Sequence, residues 1–193
     1  NLMTTADSDT QKELADAINY LRNGSPDKTR RICQNFLATS PSSGAHIQLL
    51  AHAFIKLGSL REAKQQIEFA LKLTPDFAGL HEDLGSIQAL SSDYEGASDS
   101  FRKAIQLDPR LTSAHKKLAQ SLSASGKTDE VDEAFENYLD RDKDAALVAA
   151  GAEHWRSNRI EEAEAALKKA LKRNTNNVDA MHFLALVYHG ENK

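Results

Sequence analysis

Apolar and small residues in this chain fall at the three- and four-residue spacings of helix faces, and the faces come in pairs that return with a fixed period. Residues 75–109 carry the pattern most regularly. Leu84 and Gly85 mark a first helix, and Tyr94, Ala97, Phe101 and Ala104 mark a second after a turn. Prolines 41, 75 and 109 stand 34 residues apart, and each follows a residue able to cap a helix: Ser40, Thr74 and Asp108. The preceding copy has Leu50, Ala51 and Phe54, then Gly58, then Ala63, Ile67 and Ala70. Small residues at Ala51 or Gly85, and at Ala63 or Ala97, let the two helices of a pair approach closely. Ile67 and Phe101 are the expected fillers of the gaps between units.

Laid along the chain, this template predicts units at about 10–43, 44–77, 78–111, 112–143 and 144–177, a last single helix over 178–193, and a mobile lead-in over 1–9. In the first unit the apolar stripe is Leu14, Ala17, Ile18 and Leu21, and the second helix carries Cys33, Phe36 and Leu37. Between them Gly24 supplies a left-handed turn, Ser25 a cap, and Pro26 a first helical residue that needs no N–H. Ser59 and Glu62 have the spacing of a capping box. The fourth unit keeps Leu118, Ala119, Leu122, Gly126 and Phe135, but Val131 and Tyr138 replace alanines, so its helix pair is expected to splay slightly. Lys143 then replaces the proline and the next match arrives two residues early, which places a deletion near 142–144. The fifth unit has Ala150 and Gly151, then Ile160, Ala163, Leu167 and Ala170, with a turn at Ser157 and Asn158 that lacks glycine. The final helix holds Leu184, Ala185 and Tyr188 in register and is rich in apolar residues. Terminal repeats normally turn a polar face outward, so the chain reads as a fragment of a longer repeat protein.

Period, turn glycines and small-residue positions together resemble the tetratricopeptide repeat. The resemblance spans about residues 10–193 and is strongest over 44–142. It implies an all-α fold: a right-handed superhelical solenoid of antiparallel helix pairs, with about five full repeats plus a final single helix, forming one domain. The chain departs from the family where an aromatic is preferred early in the first helix and a tyrosine one turn after the small residue. Those places hold Ile47, His81 and His115, then Phe54, Gln88 and Leu122.

Proteins of this family generally bind other proteins, often an extended peptide or helix in a groove lined by the first helices. Carried over residue by residue, the groove positions are Gln48, His52, Lys56, Glu82, Ser86, Lys116 and Gln120, a mixed polar surface. Toward the C-terminus they become Val148, Ala152, Trp155, Arg156, His182, Phe183, Leu186 and His189, where apolar residues with an aromatic and an arginine have the composition of a binding hot spot. A second reading has Trp155 covering the shortened junction or packing on the last helix. The co-chaperone branch grips a terminal carboxylate with Lys and Asn. Here Gln48 and His52 stand in those places and Glu82 and Asp83 follow, which argues against such a clamp.

Charge and composition narrow the partners. Net charge is -4 with both signs interspersed, against the concentrated basic face that nucleic acid requires. Lys168, Lys169, Lys172 and Arg173 read as a solvated helix end. No window is apolar enough to cross a membrane. The one cysteine, Cys33, takes the slot of Ile67 and Phe101, so it reads as a small buried hydrophobe, and its lack of a partner leans toward a reducing compartment and a cytoplasmic location. His81 and His115 share one packing position and no paired-histidine motif occurs, so no metal or other cofactor is expected. Neither a nucleophile triad nor a phosphate loop is present. The leading expectation is a non-enzymatic protein-interaction scaffold. The rival is the interaction region of a larger enzyme, such as a glycosyl- or sulfotransferase, with its catalytic domain beyond Lys193. A third reading is self-association through the unfinished last repeat.

Overall fold

The computed structural model describes residues 5–191, and among them it is built of helices without a strand. Eleven helices follow one another: α1 (Thr5–Arg22), α2 (Pro26–Thr39), α3 (Gly44–Lys56), α4 (Leu60–Leu73), α5 (Ala78–Leu90), α6 (Tyr94–Leu107), α7 (Thr112–Ala124), α8 (Thr128–Arg141), α9 (Lys143–Arg156), α10 (Ile160–Arg173) and α11 (Val178–Glu191). The expected all-α fold of paired helices is met. Helix α1 opens at Thr5, inside the stretch expected as a lead-in; residues 1–4 of that stretch lie outside the described residues. The helices form two compact units, one running to Val131 and one from Asp132.

In the first unit each helix from α1 to α7 packs on the next, and α1 also meets α3 and α5 meets α7. The close approach within a pair has a direct cause. A Cβ added to Gly85 would stand 2.7 Å from the Phe101 ring, so α5 and α6 are held at a distance only glycine allows. Ala51, Ala63, Ile67, Ala70, Ala97 and Ala104 are likewise buried, as their spacing predicts. Cys33 fills the same slot in the first pair. Burial pushes its thiol up to about 11, with the Glu13 carboxylate adding to the shift, which leaves it a packing residue.

Turns from first to second helix share one geometry. Gly24, Gly58, Ser92 and Gly126 in the first unit and Asn158 in the second all have positive φ, between 56° and 76°. At Gly58 the Ser59 N–H donates to the Phe54 carbonyl at 2.9 Å and the Gly58 N–H to Ile55 at 3.1 Å. These two bonds define a Schellman motif, and they recur at Ser92 with Gln88 and Ala89 and at Asn158 with His154 and Trp155. The capping box expected at Ser59 and Glu62 is not formed, nor does Ser25 cap with its side chain. The N–H that Glu62 would reach is already committed to Phe54. One repeat on, Asp93 does cap, accepting from Gly96 N–H at 3.0 Å.

Turns from second to first helix use Ser40, Thr74 and Asp108 as C-caps of α2, α4 and α6. His81 and His115 then stitch two of them, each Nε2 donating to the carbonyl of Pro75 (2.7 Å) or Pro109 (3.0 Å). A carbonyl only accepts, so the proton sits on Nε2 in both rings.

In the second unit α10 packs on α9 and α11, and α9 meets α11. Leu167 lies over Gly151 as Phe101 lies over Gly85, at 2.6 Å from an added Cβ. Where the proline is missing, the connection shrinks to Asp142 alone, between Arg141 and Lys143. Its carboxylate accepts from the N–H of Asp144 (3.1 Å) and Ala145 (3.0 Å) and from the Tyr138 hydroxyl (3.1 Å). Burial, and then the charge of Asp142, push the Tyr138 phenol up to about 12. Phe135, a filler by the sequence pattern, is 43% exposed, while Ala134 and Tyr138 are buried. Val131 and Tyr138 stand on the same helix in the places where the regular repeat has alanines. No described helix is long and apolar enough to cross a membrane.

The turn geometry gives a stability test. A Cβ at position 58 would meet nothing within 4 Å, so Gly58→Ala isolates the left-handed penalty and is expected to cost about 1 kcal/mol. Ser92→Gly relieves that penalty but loosens the unfolded chain, for a net gain of roughly 0.5–1 kcal/mol. Urea midpoints of the two variants should therefore move in opposite directions.

Candidate functional site

Along the first unit, the first helices of successive pairs meet through one repeated bracket. Gln48 and His52 stand one turn apart on α3, and Asp83 of α5 reaches both: Gln48 Nε2 donates to one carboxylate oxygen at 2.7 Å and His52 Nε2 approaches the other at 3.0 Å. One repeat later, Glu82 and Ser86 of α5 bracket Lys117 of α7, whose ammonium donates to Glu82 at 2.7 Å and to Ser86 Oγ at 3.0 Å. The separations are 35 and 31 residues in both cases. One repeat earlier the same three places hold Leu14, Ile18 and Leu49, which belong to the hydrophobic cluster and line one cleft. One register thus carries an apolar, then an anion-centred, then a cation-centred contact.

The polarity of each bracket fixes its protons. A carboxylate can only accept, so both Gln48 and His52 donate to Asp83. An ammonium can only donate, so Glu82 and Ser86 Oγ accept, and the Ser86 hydroxyl in turn donates a hydrogen bond to the Glu82 backbone carbonyl at 2.8 Å. The Glu82 side chain is only 13% exposed, so removing Lys117 leaves a half-sheltered charge unpaired. The bond to Asp83 raises the His52 pKa above its ordinary 6.5; burial and the Lys117 charge oppose it less strongly.

Beside the second bracket lies an open cleft of about 380 Å³. Helix α5 supplies Ser86, Ala89 and Leu90 and helix α6 supplies Tyr94 and Phe101. Helix α7 closes it with Lys117, Gln120 and Ser121. Of the groove positions chosen from sequence, Gln48, His52, Glu82 and Ser86 are thus brought together through Asp83 and Lys117, Gln120 lines the cleft, and Lys56 and Lys116 are exposed. Asp83 and Lys117 were not among those positions, yet they organise the rest. Their signal was a place that reads Leu49, Asp83, Lys117 in successive units while the next place stays leucine at 50, 84 and 118.

The C-terminal positions are arranged differently. Val148 is buried with Ala170 and Ala180, and Ala152 is buried as well. Trp155 and Phe183 pack against the cluster of Ala163, Leu167 and Val187, so much of each ring faces the interior of the second unit. Arg156 pairs with Glu153 at 2.7 Å. His182 is exposed with its ring edge-on to Phe183 at 5.6 Å, and Leu186 is half-buried. Sequence spacing marked these places as one face but could not separate a groove wall from a local core.

A family model described as tetratricopeptide repeat matches residues 49–111 and 148–193, more than half of the chain. The chain belongs to the tetratricopeptide repeat family. Solved tetratricopeptide repeat proteins agree in fold. One from Thermus thermophilus, a thermophilic member, is 19% identical with TM-score 0.68, covering 92% of this chain and 98% of that one. MamA residues 41-end from Desulfovibrio magneticus RS-1 are 16% identical with TM-score 0.65, covering 86% and 96%. YrrB, described as having an unusual peptide-binding site, is 19% identical with TM-score 0.59, covering 88% and 89%. At these identities the likeness is one of fold. No curated protein matches the chain in sequence. In this tetratricopeptide repeat chain the brackets fall on equivalent places of successive repeats.

Because the folded His52 pKa is raised, the stability that comes from the charged His52 ring is fully present below pH 6.5 and is lost as pH rises through the folded value, while the Gln48–Asp83 bond remains. An NMR titration of the His52 ring should give a midpoint above 6.5. Asp83→Asn is expected to lower that midpoint, and Lys117→Met, removing a repelling charge, to raise it.

Proposed function

We propose that this chain is a non-enzymatic protein-interaction scaffold that receives an extended peptide or a helix along the face shared by α3, α5 and α7. The observation that carries the reading is the pair of brackets. They hold polar side chains of three helices in fixed directions before any partner arrives, so less side-chain entropy is lost on binding. Lys56, Lys116 and Gln120 flank them and are exposed, so they serve as the contacts and the brackets set the register. Membership of a family that generally binds proteins supports this, as does the peptide-binding site ascribed to YrrB. In the second unit, buried Val148 and Ala152 have little surface to offer, and Arg156, His182 and Leu186 are secondary contacts at most.

Selection of displayed peptides on the folded chain supplies ligands to test. Lys56→Glu combined with Lys116→Glu is expected to weaken them about tenfold or more, while Lys72→Glu on α4 leaves them unchanged. Undiminished affinity in the double variant, with helical circular dichroism intact, removes this face from the proposal.

A further inference from the structure

The repeats contain their own control for the cleft between α5, α6 and α7. Each residue lining it has an equivalent 34 residues earlier. Tyr94 and Phe101 answer to Leu60 and Ile67, so the wall from the second helix is apolar in both repeats. At three places the side chain shrinks: Ala89 stands where α3 has Ile55, Ser121 where α5 has Ile87, and Ser86 where α3 has His52. Ile87 is 1% exposed and Ile55 packs against the core, so the earlier repeat fills this space with its own atoms. In the later repeat the space is left open, and Leu90 at its edge is 58% exposed.

We propose that this cleft is the anchor site of the scaffold, taking one large aliphatic or aromatic side chain from an extended segment of a partner protein. The inference rests on the scaffold reading and names the residue class it selects. The occupant's chemistry follows from what fills the equivalent place: two isoleucine side chains, beside a His52 ring whose Nε2 is turned to Asp83. Water in such a cleft lacks polar partners on the side of Ala89, Leu90 and Phe101, and an entering side chain restores the contacts the isoleucines make one repeat earlier. Charge works in the same direction. The cation at the rim, Lys117, is already paired with Glu82 and held by Ser86, so the rim favours a neutral anchor. The Gln120 amide on the opposite helix can donate to the carbonyl of the backbone that carries it.

Blocked amino acids probe the cleft without a known partner. In a protein-detected NMR titration of the whole chain, the methylamides of N-acetyl-leucine and N-acetyl-phenylalanine should produce saturable shifts at Leu90, Tyr94, Gln120 and Ser121. The alanine analogue should bind about tenfold or more weakly, since most of the apolar contact is absent. Ala89→Ile with Ser121→Ile installs the earlier repeat's residues and should abolish the response. Leu90→Asp, at an exposed position, should do so without touching the core. Equal shifts from all three probes overturn the proposal, as does undiminished binding in a well-folded filled variant. If the filled variant does not fold, retained binding in Leu90→Asp overturns it instead. Selected peptides that bind parent and filled variant equally sink the anchor and leave the scaffold standing. Leucine and phenylalanine probes that bind where no displayed peptide does uphold the cleft and remove the scaffold.

Discussion

Everything in this chain depends on how closely the two helices of a pair approach. At Gly85 and Gly151 the approach leaves no room for a Cβ against Phe101 or Leu167. At the equivalent place the other repeats have Ala17, Ala51 and Ala119, all buried. Such close packing fixes where each second helix starts relative to the first, and the Schellman turn then has one way to connect them. Once both are set, each first helix reaches its successor at a constant offset. That offset lets Asp83 sit between Gln48 and His52, and Lys117 between Glu82 and Ser86, at the same two sequence separations. The polar contacts are consequences of the apolar ones.

This hierarchy explains what the sequence disclosed. Period, paired helices, turn glycines and fillers were legible because each is a property of one position repeated, and repetition averages out local noise. The buried slot of Cys33 was legible for that reason. The brackets were not, because they vary in chemistry while keeping geometry. Leu49, Asp83 and Lys117 look unrelated until the offset between helices is known. Ser59 shows the converse failure. Its spacing to Glu62 fits a capping box, yet the backbone donor such a box needs was taken by the preceding turn. Local motif and repeat motif competed for one N–H, and the repeat won.

The second unit shows where repetition stops being a guide. Losing the proline at Lys143 leaves Asp142 to end one helix and cap the next, which it does by accepting three hydrogen bonds on one carboxylate. On the helix before it Phe135 is exposed, and Tyr138, bonded to that same carboxylate, is buried. Trp155 falls at a groove position by register, and its ring packs against the cluster of Ala163, Leu167 and Val187. Sequence reasoning offered both a surface and a core role for it and had no means to choose, because the choice depends on packing between α9, α10 and α11.

A repeat also makes absence measurable. In a unique fold a cleft has no reference, and one cannot say whether its emptiness is a packing defect or a feature. Here the preceding repeat states what closure looks like: Ile55 and Ile87 in the places of Ala89 and Ser121. Burying two isoleucine side chains is worth roughly 1.5–3 kcal/mol each, so a chain under no other demand has an inexpensive route to greater stability at this spot. Retaining small residues there, next to a bracket that orders the surrounding side chains, is the pattern expected where stability and binding compete for the same volume. If a partner's side chain enters there, the brackets and the cleft act as two halves of one arrangement, with the polar groups beside the cleft already paired among themselves.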